Sequence, residues 1–383
     1  MRFSRAAVSF FLWSAQQHSQ PVRAFATAAA PFSSAIASIS NKKKQECPAF
    51  VTPFRGGALY SQQHQQSTSQ KSMSTTTSTA LNSAVATSEA ETTPVEYFRK
   101  DYQPLPFTVD TVNLEFDIYP GKTTVTAEMK LVQNPNNTSN EQPLELDGDE
   151  TAVKLISIQL DGQELTQDTD YTLSPGKLIL LKPTDGGILT TKVEIVPEDN
   201  TQLSGLYKSG PMYCTQCEAQ GFRRITYFPD RPDNMSTYAR VTLKAPKDEY
   251  PVLLSNGNLV EQGTTLEDNT RHYAVWSDPF PKPSYLFAAV AGNLASIHDS
   301  YTTASGQDVQ LAIFSEKESV DKLQYAMDSL KRSMKWDEDR FGLEYDLGIY
   351  NIVATSDFNM GAMENKVRMC QSIYTMRVAA RET

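Results

Sequence analysis

The chain is 383 residues long, with four cysteines and a formal net charge of −10. At about 100–200 residues per domain this length allows two or three folded units, and so few cysteines argue against a disulfide-stapled secreted scaffold. The charge divides unevenly: residues 1–92 hold eight Lys and Arg against three acids, which leaves −15 on residues 93–383, and an acidic body without a basic stripe argues against nucleic acid as a partner.

In chain order, the first acid is Glu46. Ahead of it come arginines, alanines, serines and a short apolar run at 6–15, far below the roughly 18 residues that span a bilayer. This is the composition of an organelle transit peptide, addressed to a mitochondrion or plastid. The apolar run behind Arg2 and Arg5 also fits the core of a signal peptide, so a secretory route, or the cytoplasm, is the alternative. Residues 61–94 are rich in Ser, Thr and Gln and cannot bury enough apolar area to fold. Residues 1–95 are therefore predicted to be a transit peptide and disordered tether, and no transmembrane segment is predicted.

Order is predicted to begin near Tyr97. Val112, Leu114, Phe116 and Ile118 alternate with polar residues, Tyr119-Pro120-Gly121-Lys122 reads as a turn, and Val125, Ala127, Met129 and Leu131 alternate again. That is a β-hairpin with one face buried. Further short strands are predicted at 144–146, 153–160, 178–181, 193–196 and 252–254, so a β-sandwich is the natural packing solution for residues 96–295. Asn136-Asn137-Thr138 and Asn234-Met235-Ser236 match glycosylation sequons. Cys214 and Cys217 form a CxxC, which can be a redox pair or half of a zinc site. The other cysteines, Cys47 and Cys370, make no second CxxC, and outside the leader His272 and His298 stand alone. The thiols are read as reduced and these histidines as packing or surface residues.

A change of period opens the next unit, residues 296–383. Ser315 with Glu318 reads as a capping box, and Val320, Leu323, Met327, Leu330 and Met334 recur at helical steps. Gly342 is placed to end the helix, and its methionines read as core. Residues 349–354 (IYNIVA) are of strand type and lead into Asn359-Met360-Gly361-Ala362-Met363-Glu364-Asn365. Gly361 and Ala362 leave room for another backbone, so an extended peptide can add to such an edge. Glu364 sets a carboxylate where that peptide's ammonium would lie. At about 4 Å and an effective dielectric near 20 the pair is worth roughly 4 kcal/mol before desolvation. The competing reading is a Gly-Ala turn closing a strand, with Met360 and Met363 as core filler.

The run NMGAMEN at 359–365 resembles the exopeptidase signature of the zinc aminopeptidases of the aminopeptidase N (alanyl aminopeptidase) family. Residues 213–226 (YCTQCEAQGFRRIT), 230–233 (DRPD), 254–258 (LSNGN), 278–283 (DPFPKP) and 333–346 (SMKWDEDRFGLEYD) resemble its bacterial-type branch. The resemblance runs from about Glu96 to Lys366. It implies a mainly β fold: an N-terminal saddle-like β-sandwich followed by the start of an α+β thermolysin-like catalytic domain. It implies a substrate site as well, in which Glu364 binds the α-amine, Gly361 and Ala362 contact the peptide main chain, and Met360 lines the pocket for the first side chain. Met363 and Asn365 complete the motif, and Gln216 and Glu218 supply a second anchor. Strand alternation would put Gln216 and Glu218 on one face, with Cys217 on the other.

Hydrolysis by zinc needs about three protein ligands, a bound water and a base to deprotonate it. In the resembled family these residues lie on a His-Glu-x-x-His helix and beyond, and no His-Glu-x-x-His occurs in this sequence. The resemblance thus implies zinc for the complete family enzyme, while none is expected to bind this chain. It implies the N-terminal portion of an aminopeptidase that removes N-terminal residues from peptides, with the substrate grip and without the catalytic residues. After Lys366 the sequence departs from the family, and residues 367–383 are expected to derive from a frame change, a missed splice junction or a truncated transcript. The alternative is a non-catalytic isoform, or a fragment of a misassembled gene, that binds free peptide N-termini; poor solubility is expected. The sequence does not specify an oligomeric state.

Overall fold

Residues 98–137 and 143–365, with the strand backbone of Arg368–Ser372, are described by a computed structural model. The predicted leader and tether, Cys47, Thr138 of the first sequon and residues 373–383 lie outside the described residues. From Arg99 onward the described residues belong to one compact unit.

The alternation read at 112–131 becomes the strands Phe107–Tyr119 and Lys122–Gln133, with Phe116 opposite Val125 and Leu114 opposite Ala127. Every apolar residue of that pattern is buried, and each large one contributes about 1.5–3 kcal/mol. Among the described residues this hairpin lies inside an eight-stranded sheet. The order is Asn258–Thr264, Arg271–Ser277, Thr237–Pro246, Phe107–Tyr119, Lys122–Gln133, Ile188–Ile195, Lys154–Leu160 and Gln163–Glu164. Phe107–Tyr119 and Thr237–Pro246 run parallel, and the other pairs are antiparallel.

A four-stranded sheet (Val252–Ser255, Ala289–Gly292, Met212–Gln216, Gly205–Ser209) and a three-stranded one (Leu144–Asp147, Lys177–Leu180, Tyr171–Ser174) contribute to the same core. At its centre Phe287 lies 5.9 Å from Phe116, 5.3 Å from Phe222 and 5.4 Å from Tyr238, ring to ring. The chain adopts the mainly β fold expected of it. Asn234 of the second sequon is fully buried, its Oδ1 accepting from Val109 N at 2.8 Å and its Nδ2 donating to Ser236 Oγ at 3.0 Å. That side chain belongs to the core and offers no glycan acceptor in the folded state. Cys214 and Cys217 are buried, and neither is in a disulfide. His272 Nε2 pairs with Tyr250 O at 2.8 Å, and His298 Nε2 with Ser296 Oγ at 2.8 Å.

At Ala295 a further, five-stranded sheet begins, ordered Ala295–Thr302, Asp308–Ser315, Ile349–Thr355, Arg368–Ser372 and Ala362–Met363. The helix Gln324–Phe341 packs on it: Met327, Leu330 and Met334, with Leu323 just ahead of them, share a core with Val309, Leu311, Ile313 and Ile352. Gly342 ends the helix at φ 63°, and its N–H donates to Glu338 O at 3.0 Å, the left-handed stop that glycine makes without a Cβ clash. The predicted capping box does not form. Ser315 is still paired with Ala295 in the strand ladder, its hydroxyl donates to Glu316 O at 2.9 Å, and a 3-10 segment, Lys317–Lys322, intervenes before the helix. The ladder holds Ser315 extended and overrides the local capping signal. No helix among the described residues is long and apolar enough to cross a membrane.

Candidate functional site

Three turns carry the candidate residues. The first follows the strand Met212–Gln216, all five residues of which are buried. Gln216 is the last residue of its ladder, opposite Gly205, and its buried Oε1 has no hydrogen-bond partner among the described residues. Beyond it Cys217 is buried and Glu218 exposed, the Ala219–Gln220 peptide bond is cis, and Gly221 N–H donates to Cys217 O at 3.0 Å. A Cβ at Gly221 would stand 2.6 Å from Gln216 O and 2.9 Å from Cys217 Cα, so the turn closes this tightly because no side chain is there. Gln216 and Glu218 therefore do not share a strand face, contrary to the alternation argument: the strand stops at Gln216, and Glu218 stands on the turn beyond it.

The second turn follows the strand Ile349–Thr355 and is strapped to the N-terminal β region. Ser209 Oγ donates to Asp357 Oδ2 at 2.8 Å, Tyr207 Oη to Asp357 O at 2.9 Å, and Asn359 Nδ2 to Leu203 O at 3.3 Å. The chain then enters the short strand Ala362–Met363, which pairs with Arg368–Ser372 and forms the outer edge of its sheet among the described residues. Met360 is 51% exposed and Gly361 is exposed, whereas Ala362 is buried. Met363 is fully buried against Leu286, flanked by Tyr285 and Phe358. Its side chain is core, as the competing reading of a Gly-Ala turn expects, and only its backbone borders the edge. Glu364 is exposed, and Asn365 is buried with neither side-chain polar atom partnered among the described residues.

The third turn, Ser284–Leu286, carries Tyr285. Partial burial and then the charge of Glu364 push the Glu218 carboxyl above the usual glutamate range. Burial and then Glu364 and Glu218 likewise raise the Tyr285 phenol. Among the described residues no cation contributes to either shift. The fold has brought two carboxylates from distant segments, and one phenol, within electrostatic reach of each other. No local sequence signal marks Tyr285, which lies just past the DPFPKP segment; it is found by what surrounds it.

Among the described residues no group of three or more His, Cys, Asp or Glu is placed to hold a metal ion. Glu218 and Glu364 are two carboxylates without the third donor that a zinc site needs. Zinc does not fit these described residues.

The sequence pattern of the Peptidase M1 N-terminal domain matches residues 98–286, and that of the Peptidase family M1 domain matches residues 325–379. The chain belongs to the M1 peptidase family. Glu218 and Tyr285 fall within the first M1 match and Glu364 within the second. The chain is 48% identical to Aminopeptidase N of Caulobacter vibrioides over 274 residues, covering 72% of this chain and 31% of that protein. It is 46% identical to Aminopeptidase N of Escherichia coli over 275 residues, covering 71% of this chain and 30% of that protein. This M1 chain thus spans a little under a third of the length of these relatives. It is similar as well to the crystal structure of Legionella pneumophila aminopeptidase A in complex with aspartic acid, with a TM-score of 0.67 and 31% identity over 74% of this chain and 34% of that one.

Proposed function

We propose that this chain holds the free amino end of a peptide, as the substrate-gripping part of an M1 aminopeptidase that removes N-terminal residues. The ammonium lies between Glu218 and Glu364 with Tyr285 beside it, the peptide backbone adds to the edge at Gly361 and Ala362, and the first side chain rests on Met360. The observation that carries this reading is that Glu364 raises the Glu218 carboxyl, with no cation among the described residues offsetting it. Gathering like charges in a partly desolvated place costs free energy, and an arriving cation offsets that cost. The Gln216 Oε1 and the Asn365 amide, which have no partner among the described residues, support it, since each such group costs about 1–3 kcal/mol until something pairs with it. The partners are peptides, and the −15 on residues 93–383 opposes nucleic acid. The composition of residues 1–92 supports delivery to a mitochondrion or plastid.

The test is calorimetric titration of the purified chain with trialanine and with N-acetyl-trialanine, which lacks the ammonium. Trialanine binds and the acetylated peptide does not; equal binding of both would sink the reading. The pH dependence has a definite sign. Glu218 has a folded pKa above its ordinary value, so it is protonated and grips poorly at low pH. Affinity therefore rises, with proton release, as pH climbs through the raised carboxylate range. It falls again above about pH 8, where the peptide amine itself loses its proton.

Chemistry is a separate matter. Zinc and the cleavage step are not supplied by the described residues, so residues 1–383 alone are expected to take up no zinc and to leave an alanyl chromogenic substrate intact. Stoichiometric zinc in the purified chain, with hydrolysis abolished by a chelator, would overturn this.

A further inference from the structure

Resting on the amine-binding reading above, we propose that Asp230 is a positioning residue of that site, its two carboxylate oxygens setting where Glu218 and Tyr285 stand. Asp230 is only 2% exposed. Its Oδ2 accepts from Arg223 Nε at 3.1 Å and from the Arg223 backbone N–H at 3.2 Å, and its Oδ1 accepts from Ser284 Oγ at 2.6 Å. Arg223 lies in the 3-10 turn Phe222–Arg224, which directly follows the Glu218 turn, and Ser284 immediately precedes Tyr285. One buried side chain thus joins the segment that follows the Glu218 turn to the turn that carries Tyr285.

The joint is itself tied to the rigid part of the fold. Asp230 N–H donates to Asp147 Oδ2 at 3.2 Å, and Asp147 ends the strand Leu144–Asp147. Asp147 also meets Lys177 at 2.8 Å and Arg223 at 3.4 Å. A buried carboxylate is tolerated only where its bonds are satisfied, and here satisfying them fixes the spacing of the two turns. A displacement of either turn loosens a charge-assisted hydrogen bond, which is among the stronger kinds in a protein. None of these bonds reaches Glu218, Glu364 or the Tyr285 ring, so Asp230 acts through the backbone of its neighbours.

The experiment titrates trialanine across pH into the full chain and into three variants, Ser284→Ala, Asp230→Asn and Glu364→Gln, with N-acetyl-trialanine as the blank. Ser284→Ala, which removes the one bond from Ser284 to Asp230, is expected to weaken binding about fivefold, and Asp230→Asn about tenfold. Both should move the pH midpoint of binding to lower pH, because Glu218 released from Glu364 returns toward its ordinary range. Thermal melting of Ser284→Ala stays near wild type, and this variant decides the matter if Asp230→Asn fails to fold. An unchanged affinity or an unchanged pH midpoint in Ser284→Ala, with Glu364→Gln still weakened, overturns the positioning role and leaves the amine-binding reading standing. Unchanged affinity in Glu364→Gln overturns the reading on which it rests.

Discussion

Replacing Asp278 by alanine is expected to destabilise the protein by roughly 3–5 kcal/mol, the cost of breaking a buried ion pair from one side. Lys282 Nζ lies 3.1 Å from Asp278 Oδ2, with the two side chains 2% and 0% exposed. The ammonium also sits 3.9 Å above the centre of the Tyr238 ring, an attraction worth much less than the lost carboxylate in a place that water does not reach. Asp278 has a second task, since its Oδ1 accepts from Phe280 N–H at 3.1 Å. Its removal therefore takes the side-chain tie from the segment 278–283, leaving the backbone bonds of Lys282 to Ser236 and of Asp278 to Tyr238, and that segment runs directly into the turn carrying Tyr285. Urea unfolding of the single variant should show a lower midpoint at an unchanged slope. The double variant Asp278→Leu/Lys282→Met should recover most of the loss, because an apolar pair of similar volume carries no desolvation cost. A single variant that unfolds at the wild-type midpoint would remove this pair from the account of what holds the loop.

Glu364→Gln is expected to weaken binding of a free-amine peptide by about 2 kcal/mol, or about thirtyfold, and to leave N-acetyl-trialanine unaffected. The substitution keeps the size of the side chain and deletes its charge. Glu364 is exposed, so the loss falls at the lower end of what charged contacts show. A second readout accompanies it. With Glu364 neutral, the largest charge acting on Glu218 is gone, and the midpoint of binding should move to lower pH. Equal affinity for trialanine in variant and wild type would remove Glu364 from the site.

Some of this architecture is written in local pattern. The alternation at 112–118 and 125–131 fixes both the hairpin and the face it buries, because side chains of a strand point alternately to its two sides. The helical stripe of Leu323, Met327, Leu330 and Met334 is equally local, as is the glycine that stops that helix. The capping signal at Ser315 is local too, but it loses to a ladder partner in another strand, Ala295. A hydroxyl three residues ahead of a glutamate carries no record of whether its own backbone is already committed to a sheet.

The candidate site divides along the same line. Amino-acid order alone determined that a carboxylate follows a Gly-Ala edge at Glu364, that the body is acidic, and that the chain resembles the M1 peptidases through NMGAMEN and its companion segments. Tertiary structure alone decided that the strand stops at Gln216 and leaves Glu218 on a turn, that the Met363 side chain is core, and that the Tyr285 phenol feels the charges of Glu364 and Glu218. It decided as well that Asp230 ties the segment after the Glu218 turn to the turn carrying Tyr285. The physical reason is range: periodicity and turn chemistry act over a few residues, whereas the field at Glu218 is set by a charge on a distant segment, and only packing brings that charge near.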